Sequence, residues 1–117
     1  MIVPLNNSIS ALQARVKKLG VTANNITNVI SEGYKKYRAS MEEGFHGGLK
    51  VNITRVDPPG SQYEMIENGQ PVEREMSNVD LTEETPNLMI VKQGYEANLK
   101  TIQTQDKMLG SLLDIIT

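Results

Sequence analysis

Apolar residues, with two amides among them, recur at steps of three and four along the last thirty residues of the chain. The positions are Leu88, Val91, Tyr95, Asn98, Ile102, Gln105, Leu109, Leu112 and Ile116. This spacing predicts one stripe along one side of a helix, and thirty helical residues are about 45 Å long. Because an apolar stripe has to be covered, so long a helix predicts a partner surface elsewhere.

A second stripe near the start of the chain predicts that partner. Its positions are Ile9, Leu12, Val16, Leu19, Ala23, Ile26 and Ile30. The polar residues at 6–8 are candidate N-caps after Pro4, and Gly33 is a candidate C′ residue. Gly20 lies inside this helix, where it costs about 1 kcal/mol relative to alanine but permits close approach of a neighbour.

The middle of the chain has a different period. Leu49, Val51 and Ile53 alternate with polar residues, which predicts a half-buried strand. A turn at 57–61 and a short return strand at 63–66 complete a small hairpin, and residues 67–79 are expected to be irregular or extended. The predicted fold is mainly α with a small β insert: residues 1–33 and 80–117 form a helical segment and residues 34–79 form the insert. The two long helices pair as an antiparallel, coiled-coil-like hairpin.

The start of the C-terminal helix has two interpretations. Asp80 can cap a helix that continues to the end of the chain, but Pro86 would then remove a hydrogen bond inside it. Alternatively Thr85 is the N-cap and Pro86 is the first helical residue, where proline is favourable. We favour a short turn at 81–84 and a main helix from about Pro86.

An Asn- and Thr-rich belt at the end of the first helix also has two interpretations. Its members are Thr22, Asn24, Asn25, Thr27 and Asn28. Such residues compete for backbone hydrogen bonds, so the belt fits a solvated face near a fraying end. It also fits an amide ladder that fixes the register of a neighbouring helix, and Asn98 and Gln105 on the C-terminal stripe favour this second interpretation.

Two paired helices leave apolar residues uncovered, which predicts assembly with further helices. These residues are Met89, Ile90, Leu99, Met108 and Leu113. Charge is also uneven, because residues 1–38 carry six basic residues against one acid, whereas residues 39–87 carry ten acids against three basic residues. This asymmetry indicates charge pairing within the chain or between copies.

No catalytic constellation is present in the sequence. The chain has no cysteine and a single histidine, His46, in a glycine-rich turn without the ending of a phosphate loop. We therefore expect no enzyme activity, cofactor, metal site, nucleic-acid partner or small-molecule substrate. The opening residues lack the basic and apolar regions of a cleaved secretory signal.

Three stretches resemble the bacterial flagellar rod and hook axial proteins. They are Thr22-Ala23-Asn24-Asn25-Ile26-Thr27-Asn28-Val29-Ile30-Ser31-Glu32-Gly33-Tyr34-Lys35-Lys36, Ser77-Asn78-Val79-Asp80-Leu81-Thr82-Glu83-Glu84, and Gln93-Gly94-Tyr95-Glu96-Ala97-Asn98-Leu99-Lys100-Thr101-Ile102-Gln103-Thr104 with Met108-Leu109-Gly110-Ser111-Leu112-Leu113. The small middle segment is most similar to that of the short proximal-rod members.

The resemblance implies a structural subunit of the flagellar basal-body rod. Such proteins form a helical tube with their terminal helices in its inner layer, and they are exported by the flagellar type III apparatus without a cleaved signal. The expected partners are other rod and hook-type proteins, copies of the chain and the export apparatus, and the expected location is the basal body in the cell envelope. The alternative is a soluble helical binding module, such as an export chaperone or regulator.

The two stripes and the resemblance together predict the residues that contact other subunits. They are Leu12, Val16, Leu19, Asn24, Asn25, Ile26, Asn28, Gly33, Tyr34, Asn78, Leu88, Val91, Tyr95, Asn98, Ile102, Gln105, Leu109 and Leu112.

Overall fold

A computed structural model describes residues 2–45 and 47–116, with side chains from Leu5 onward, so His46 lies outside the described residues. Its elements in chain order are α1 (Ile2–Thr27), β1 (Tyr37–Glu43), β2 (Leu49–Arg55), β3 (Gln62–Glu67), β4 (Gln70–Glu75) and α2 (Leu81–Ile116). The molecule measures 82 × 25 × 19 Å and has a radius of gyration of 21.0 Å, against about 13 Å for a compact domain of roughly this length. The molecule is therefore elongated.

The two helices predicted at the ends of the chain are present and lie side by side in opposite directions. Asn25, near the end of α1, contacts Glu84 in the first turn of α2, and Leu5 shares a hollow with Leu109 at the other end. Because α2 has 36 residues and α1 has 26, the last turns of α2 extend beyond α1.

The first helix begins earlier than predicted. It starts at Ile2 and already includes the residues at 6–8 that were candidate caps. Pro4 lies in its first turn, where a backbone N–H has no partner within the helix, so proline is tolerated there. The prediction of an N-cap after Pro4 is wrong for this reason.

The same helix ends at Thr27, six residues before Gly33. Tight turns follow it, with the N–H of Val29 donating to the carbonyl of Ile26 at 3.2 Å. Gly33 has a positive φ of 68°, the conformation expected of glycine, but its N–H donates to the carbonyl of Glu75 at 2.9 Å. Gly33 therefore closes a contact with β4, and its assignment as the C′ residue is wrong.

The C-terminal helix is continuous from Leu81, so the predicted start at Pro86 is wrong. Asp80 caps the helix, because its Oδ1 accepts from the N–H of Thr82 at 2.9 Å and its carbonyl accepts from the N–H of Glu84 at 3.0 Å. The first turn is also tied to the preceding loop by the Lys36–Glu83 ion pair at 3.0 Å. These contacts offset the one backbone hydrogen bond that Pro86 removes.

The predicted strand at 49–54 is present as β2, but its partner is β1. The two strands pair antiparallel from Tyr37↔Arg55 to Glu43↔Leu49. This hairpin packs on α1, where Ser10 Oγ both accepts from the N–H of Leu49 at 3.0 Å and donates to its carbonyl at 3.2 Å. The strand β1 was not predicted from the sequence.

The predicted return strand at 63–66 is present as β3, but it belongs to a second hairpin that takes up most of the predicted irregular segment. Here β3 pairs with β4, from Gln62↔Glu75 to Glu67↔Gln70. Asn68 and Gly69 connect the strands with positive φ values of 53° and 77°, as two-residue hairpin turns require. So short a loop costs little conformational entropy to close, which favours the pairing of β3 with β4. The prediction of a single hairpin is therefore wrong.

The deepest face of α1 is not the predicted apolar stripe. Ala14, Thr22 and Asn25 are buried, whereas Ile9 and Val16 are exposed. The reason is that α1 packs against both α2 and the first hairpin, so its most enclosed side lies where these neighbours meet. Small and polar residues there allow close approach, and part of the stripe faces solvent.

Along residues 2–45 and 47–116, neither helix has a stretch that is both apolar enough and long enough to cross a bilayer.

The surroundings of Gly20 and Gly60 predict opposite effects of substitution by alanine. A Cβ on Gly20 would have no neighbour within 4 Å, whereas one on Gly60 would collide with the backbone oxygens of Met76 and Ser77. We expect Gly20→Ala to raise the free energy of unfolding by about 0.5–1 kcal/mol and Gly60→Ala to lower it by about 1–3 kcal/mol. Urea unfolding of both variants tests this, and a loss of stability in Gly20→Ala would contradict it.

Candidate functional site

The end of α1 and the start of α2 meet at one buried amide, that of Asn25, which is 1% exposed. Its Oδ1 accepts from the N–H of Tyr37 at 3.0 Å and from the hydroxyl of Tyr34 at 3.1 Å. Its Nδ2 donates to the carbonyl of Tyr37 at 2.8 Å and to Glu84 Oε1 at 3.4 Å. One side chain thus joins α1, the loop after it, the first residue of β1 and α2.

The carboxyl group of Glu84 is buried in this contact. Burial raises the pKa of Glu84 above its ordinary value of 4.5, and the neighbouring carboxylate of Glu83 raises it further. The hydrogen bond from Asn25 and the charges of Lys36 and Arg38 act in the opposite direction. Because desolvation disfavours the charged form, the folded state is destabilised least when this carboxyl group is protonated.

Other amides of the Asn- and Thr-rich belt bind the end of their own helix and the loop that follows it. Asn24 Nδ2 donates to the hydroxyl of Tyr34 at 3.3 Å, and Asn28 Nδ2 donates to the carbonyl of Asn24 at 2.9 Å. Ser31 Oγ donates to Asn28 Oδ1 at 2.9 Å. Within one chain, only Asn25 of the three asparagines in the belt reaches the neighbouring helix.

Asn78 is the corresponding clamp for the segment that leads into α2. Its Nδ2 donates to the carbonyls of Val56 and Pro58 at 2.8 and 2.9 Å, and its Oδ1 accepts from the N–H of Lys36 at 2.6 Å. Its own N–H donates to the carbonyl of Tyr34 at 3.2 Å. The stretches at 22–36 and 77–84, which are far apart in sequence, are therefore parts of one structural unit.

Ion pairs attach the second hairpin to this unit. Glu32 accepts from the hydroxyl of Tyr63 and from Arg74 Nη1, and these hydrogen bonds lower the pKa of Glu32. Lys35 pairs with Glu75 and holds the pKa of that carboxyl group below its usual value. The second hairpin is thus held at its base only.

Along α2, the positions turned toward α1 are those of the predicted stripe. Leu88, Tyr95 and Ile102 are half-buried and Val91 is buried. Two further polar atoms on this side, Asn98 Nδ2 and Gln105 Oε1, are buried and have no hydrogen-bond partner among the described groups. A buried polar atom without a partner is costly, so these amides mark places where the helix pair alone is incomplete.

Gly94 and Arg15 form a close contact between the helices. The guanidinium group of Arg15 lies against Gly94, where a Cβ would collide with it. Its Nε is buried without a hydrogen-bond partner in the described part of the chain. The absence of a side chain at position 94 is therefore what admits the arginine.

The predicted residues at the end of α2 are largely uncovered, although Leu109 lines an open hollow together with Leu5 of α1. Leu109 and Leu112 are exposed, together with Met108, Leu113, Ile115 and Ile116. On α1, Val16 is also exposed, while Leu12, Leu19 and Ile26 are half-buried. The predicted role of all these residues in contacts between subunits stays a prediction.

Sequence reasoning missed Glu84, Tyr37, Ala14 and Arg15. A signal was present for Glu84, because it lies four residues before Leu88 and extends the stripe of α2 by one turn. It was overlooked because the helix was expected to begin at Pro86. For Tyr37, no pattern in the sequence shows that its backbone pairs with a side-chain amide.

No group of three or more metal-ligating side chains occurs among residues 2–45 and 47–116.

Both ends of the chain match known protein families. Residues 5–35 match the family described as flagella basal body rod protein, and residues 74–115 match the one described as flagellar basal body rod FlgEFG protein C-terminal. The chain belongs to the flagellar rod and hook axial protein family. Both matched segments contribute to the unit around Asn25 and Asn78.

Individual relatives are similar over a short stretch. The flagellar hook protein FlgE of Treponema pallidum is 49% identical over 41 residues, which are 35% of this chain and 9% of that protein. The hook protein of Escherichia coli is 42% identical over 41 residues, or 10% of its length. The flagellar basal-body rod protein FlgG of Bacillus subtilis is 42% identical over 41 residues, or 16% of its length. The matched stretch is thus a small part of each relative.

The hydrogen bonds of Asn25 predict a large difference between two adjacent asparagines. We expect Asn25→Ala to lower the free energy of unfolding by about 2–4 kcal/mol, because Glu84 and the backbone of Tyr37 lose their partner. The matched control is Asn24→Ala, whose exposed side chain predicts a change within about 0.5 kcal/mol. Denaturant unfolding measures both, and equal effects would contradict the assignment.

The raised pKa of Glu84 predicts a pH dependence of stability. As pH rises from the ordinary value of 4.5 through the raised pKa, the folded chain has to ionise a buried group, so the free energy of unfolding falls. Glu84→Gln keeps an acceptor for Asn25 and removes the charge, so this fall is expected to disappear. The measurement is the difference in unfolding free energy between wild type and Glu84→Gln from pH 4 to 8.

Glu32, Glu75 and Asp80, whose pKa values are lowered, contribute a loss of stability at lower pH in both proteins. They therefore cancel in this difference. A difference that does not change with pH would contradict the burial of a titrating Glu84.

Proposed function

We propose that the chain is a structural subunit of the flagellar rod or hook, which assembles with related axial proteins into a helical tube that transmits torque. The observation that supports this most directly is the joining of the two family segments into one helix pair that leaves apolar surface uncovered. Exposed apolar surface of this kind marks a site of contact with other proteins, and further helices would stabilise the pair by covering it. No part of this function requires a catalytic group.

The uncovered surface is extensive and lies on both helices. On α2, Met89, Ile90 and Leu99 are exposed beside α1, and four further exposed apolar residues follow beyond Leu109. On α1, Ile9 and Val16 are exposed. Monomeric proteins rarely leave contiguous apolar patches of this kind in water, so contacts with neighbouring subunits are the natural way to cover them.

We further propose that neighbouring helices complete a coiled-coil-like arrangement around α1 and α2. In this arrangement residues 1–33 and 80–117 form the inner, helical layer of the tube, and residues 34–79 lie outside it. The unpaired amides Asn98 and Gln105 support this, because polar groups on a helix seam fix register when they find partners. The small insert favours a short, proximal type of rod subunit.

The proposed partners are copies of this chain and other axial proteins, and the proposed location is the basal body. Delivery by the flagellar type III export apparatus belongs to the same proposal and rests on the family alone. A contact that joins different surfaces of successive subunits without closing produces a helical filament. The elongated shape of the chain and its two unlike ends are suited to such a contact.

The end of α2 provides the sharpest test of assembly. Leu112 is exposed near the end of α2, so we expect Leu112→Asp to change the free energy of unfolding by less than about 0.5 kcal/mol. Because a leucine contributes about 1.5–3 kcal/mol when it is buried at a contact, self-association should weaken about tenfold or more. Sedimentation velocity over a range of concentrations measures this.

The matched control is Lys107→Asp, which lies on the same helix about 140° around its axis from Leu112 and should leave assembly unchanged. If both variants assemble like wild type, the end of α2 is not an assembly surface. A compact dimer that does not grow with concentration would instead support a soluble module with a single partner.

A further inference from the structure

An open hollow lies between α1 and the first hairpin, away from the α1–α2 contact. Lys17, Gly20, Val21 and Asn24 line it from the helix, and Tyr37 and Ile53 line it from the strands. Its volume is about 490 Å³. Ile53 and Tyr37 are both exposed there, so the floor of the hollow is apolar and uncovered.

Two features of the hollow have no explanation within one chain. Gly20 is an interior helix residue, yet a Cβ at this position would meet nothing within 4 Å, so no internal contact requires a glycine. The ammonium group of Lys17 forms no ion pair with the described residues. Open space and an unpaired cation beside an apolar floor define a surface for an acidic and apolar partner.

The second hairpin carries that chemistry at its free end. Glu64 and Glu73 are directly opposite each other on β3 and β4, and like charges in this position are destabilising. Neither carboxylate forms an ion pair among the described residues. Because side chains alternate along a strand, the pair Ile66 and Pro71 shares their face, and Ile66 is 77% exposed.

Beyond the contacts at its base, the same hairpin is not packed against the described parts of the helices or of the first hairpin. Among the described residues, no Cα of β3 or β4 comes within 8 Å of a Cα in α1, in α2 or in the first hairpin. A two-stranded hairpin is only marginally stable alone in water. Its acidic and apolar end is therefore free to contact another molecule.

We propose that the end of the second hairpin docks into the hollow between α1 and the first hairpin of another copy of this chain. Ile66 lies over Gly20, Val21 and Ile53 of that copy, and Glu64 and Glu73 flank its Lys17. A second copy is the occupant because one chain carries both halves of the complementary pair, acidic on one surface and basic on the other. The carboxylates that repel each other within the hairpin are relieved by a cation from outside.

This contact joins two different surfaces, so it continues from copy to copy and does not close into a dimer. The inference rests on the proposed function in one respect, namely that copies of the chain lie beside one another. It adds a contact made by the β segments, separate from the apolar contacts of α1 and α2.

Disulfide cross-linking tests the docking directly, because the chain has no cysteine of its own. Chains with Ile53→Cys are mixed with chains carrying Ile66→Cys and oxidised mildly, and the mixed disulfide dimer is measured on a non-reducing gel. The matched control is Val72→Cys, which lies on the opposite face of the same hairpin and is also exposed. We expect the Ile66→Cys yield to exceed the Val72→Cys yield by about tenfold, because docking raises the local concentration of one face only.

Charge exchange tests the ionic part. Lys17→Glu in the Ile53→Cys chain should reduce the yield about tenfold, since three carboxylates then meet. Adding Glu64→Lys and Glu73→Lys to the Ile66→Cys chain should restore it. Gly20→Leu should also reduce the yield by filling the hollow, whereas Gly110→Leu, at an equally open position on α2, should not.

Equal yields for Ile66→Cys and Val72→Cys, or no recovery after charge exchange, would overturn the docking proposal. That failure is distinguishable from failure of the proposed function. If self-association still depends on Leu112 while the cross-link is absent, only the hairpin contact is wrong. If the cross-link forms but the protein never enters a flagellar structure, the hairpin contact stands and the proposed function is wrong.

Discussion

The relative placement of the two helices depends on the hydrogen bonds of one buried amide. Asn25 accepts and donates at the backbone of Tyr37 while it reaches Glu84 on α2, so it fixes the helix pair at the end nearest the β segments. An amide buried without these partners would be costly, which makes this register strongly preferred. Because α2 is longer than α1, fixing one end makes the last turns of α2 extend beyond α1.

The interior that results is thin. The buried hydrophobic residues of the described chain are Ala14, Val79 and Val91, and an equal number of buried residues are polar or charged. Hydrophobic burial is the main favourable term in folding, so a single copy has little of it to offset the entropy of ordering two long helices. In the proposed assembly, neighbouring subunits supply the missing burial. The surface that the monomer leaves open would then be the surface through which the proposed tube is built.

Burial was predictable from the sequence where a helix packs against one neighbouring element, and less so where it packs against two. From Leu88 to Gln105 the predicted stripe of α2 consists of buried and half-buried positions, because α2 packs mainly against α1, whereas its last three positions are exposed. The stripe of α1 was not the deepest face, because α1 has two neighbours and the second, the first hairpin, was only half predicted. Pro86 misplaced a helix start, since local propensity was overridden by the Asp80 cap and the ion pair of Glu83. The contacts of Asn25 and Asn78 join residues distant in sequence, and no local pattern encodes them.

The central claim is that this chain is a structural component of the flagellar axis. The most direct measurement is quantitative mass spectrometry of hook–basal bodies purified from cells that make the protein, after washes that remove loosely bound material. The account predicts that the chain remains in the washed particles, in a fixed ratio to the other axial proteins. Its absence from the particles, with the protein recovered in the soluble fraction of motile cells, would contradict the account.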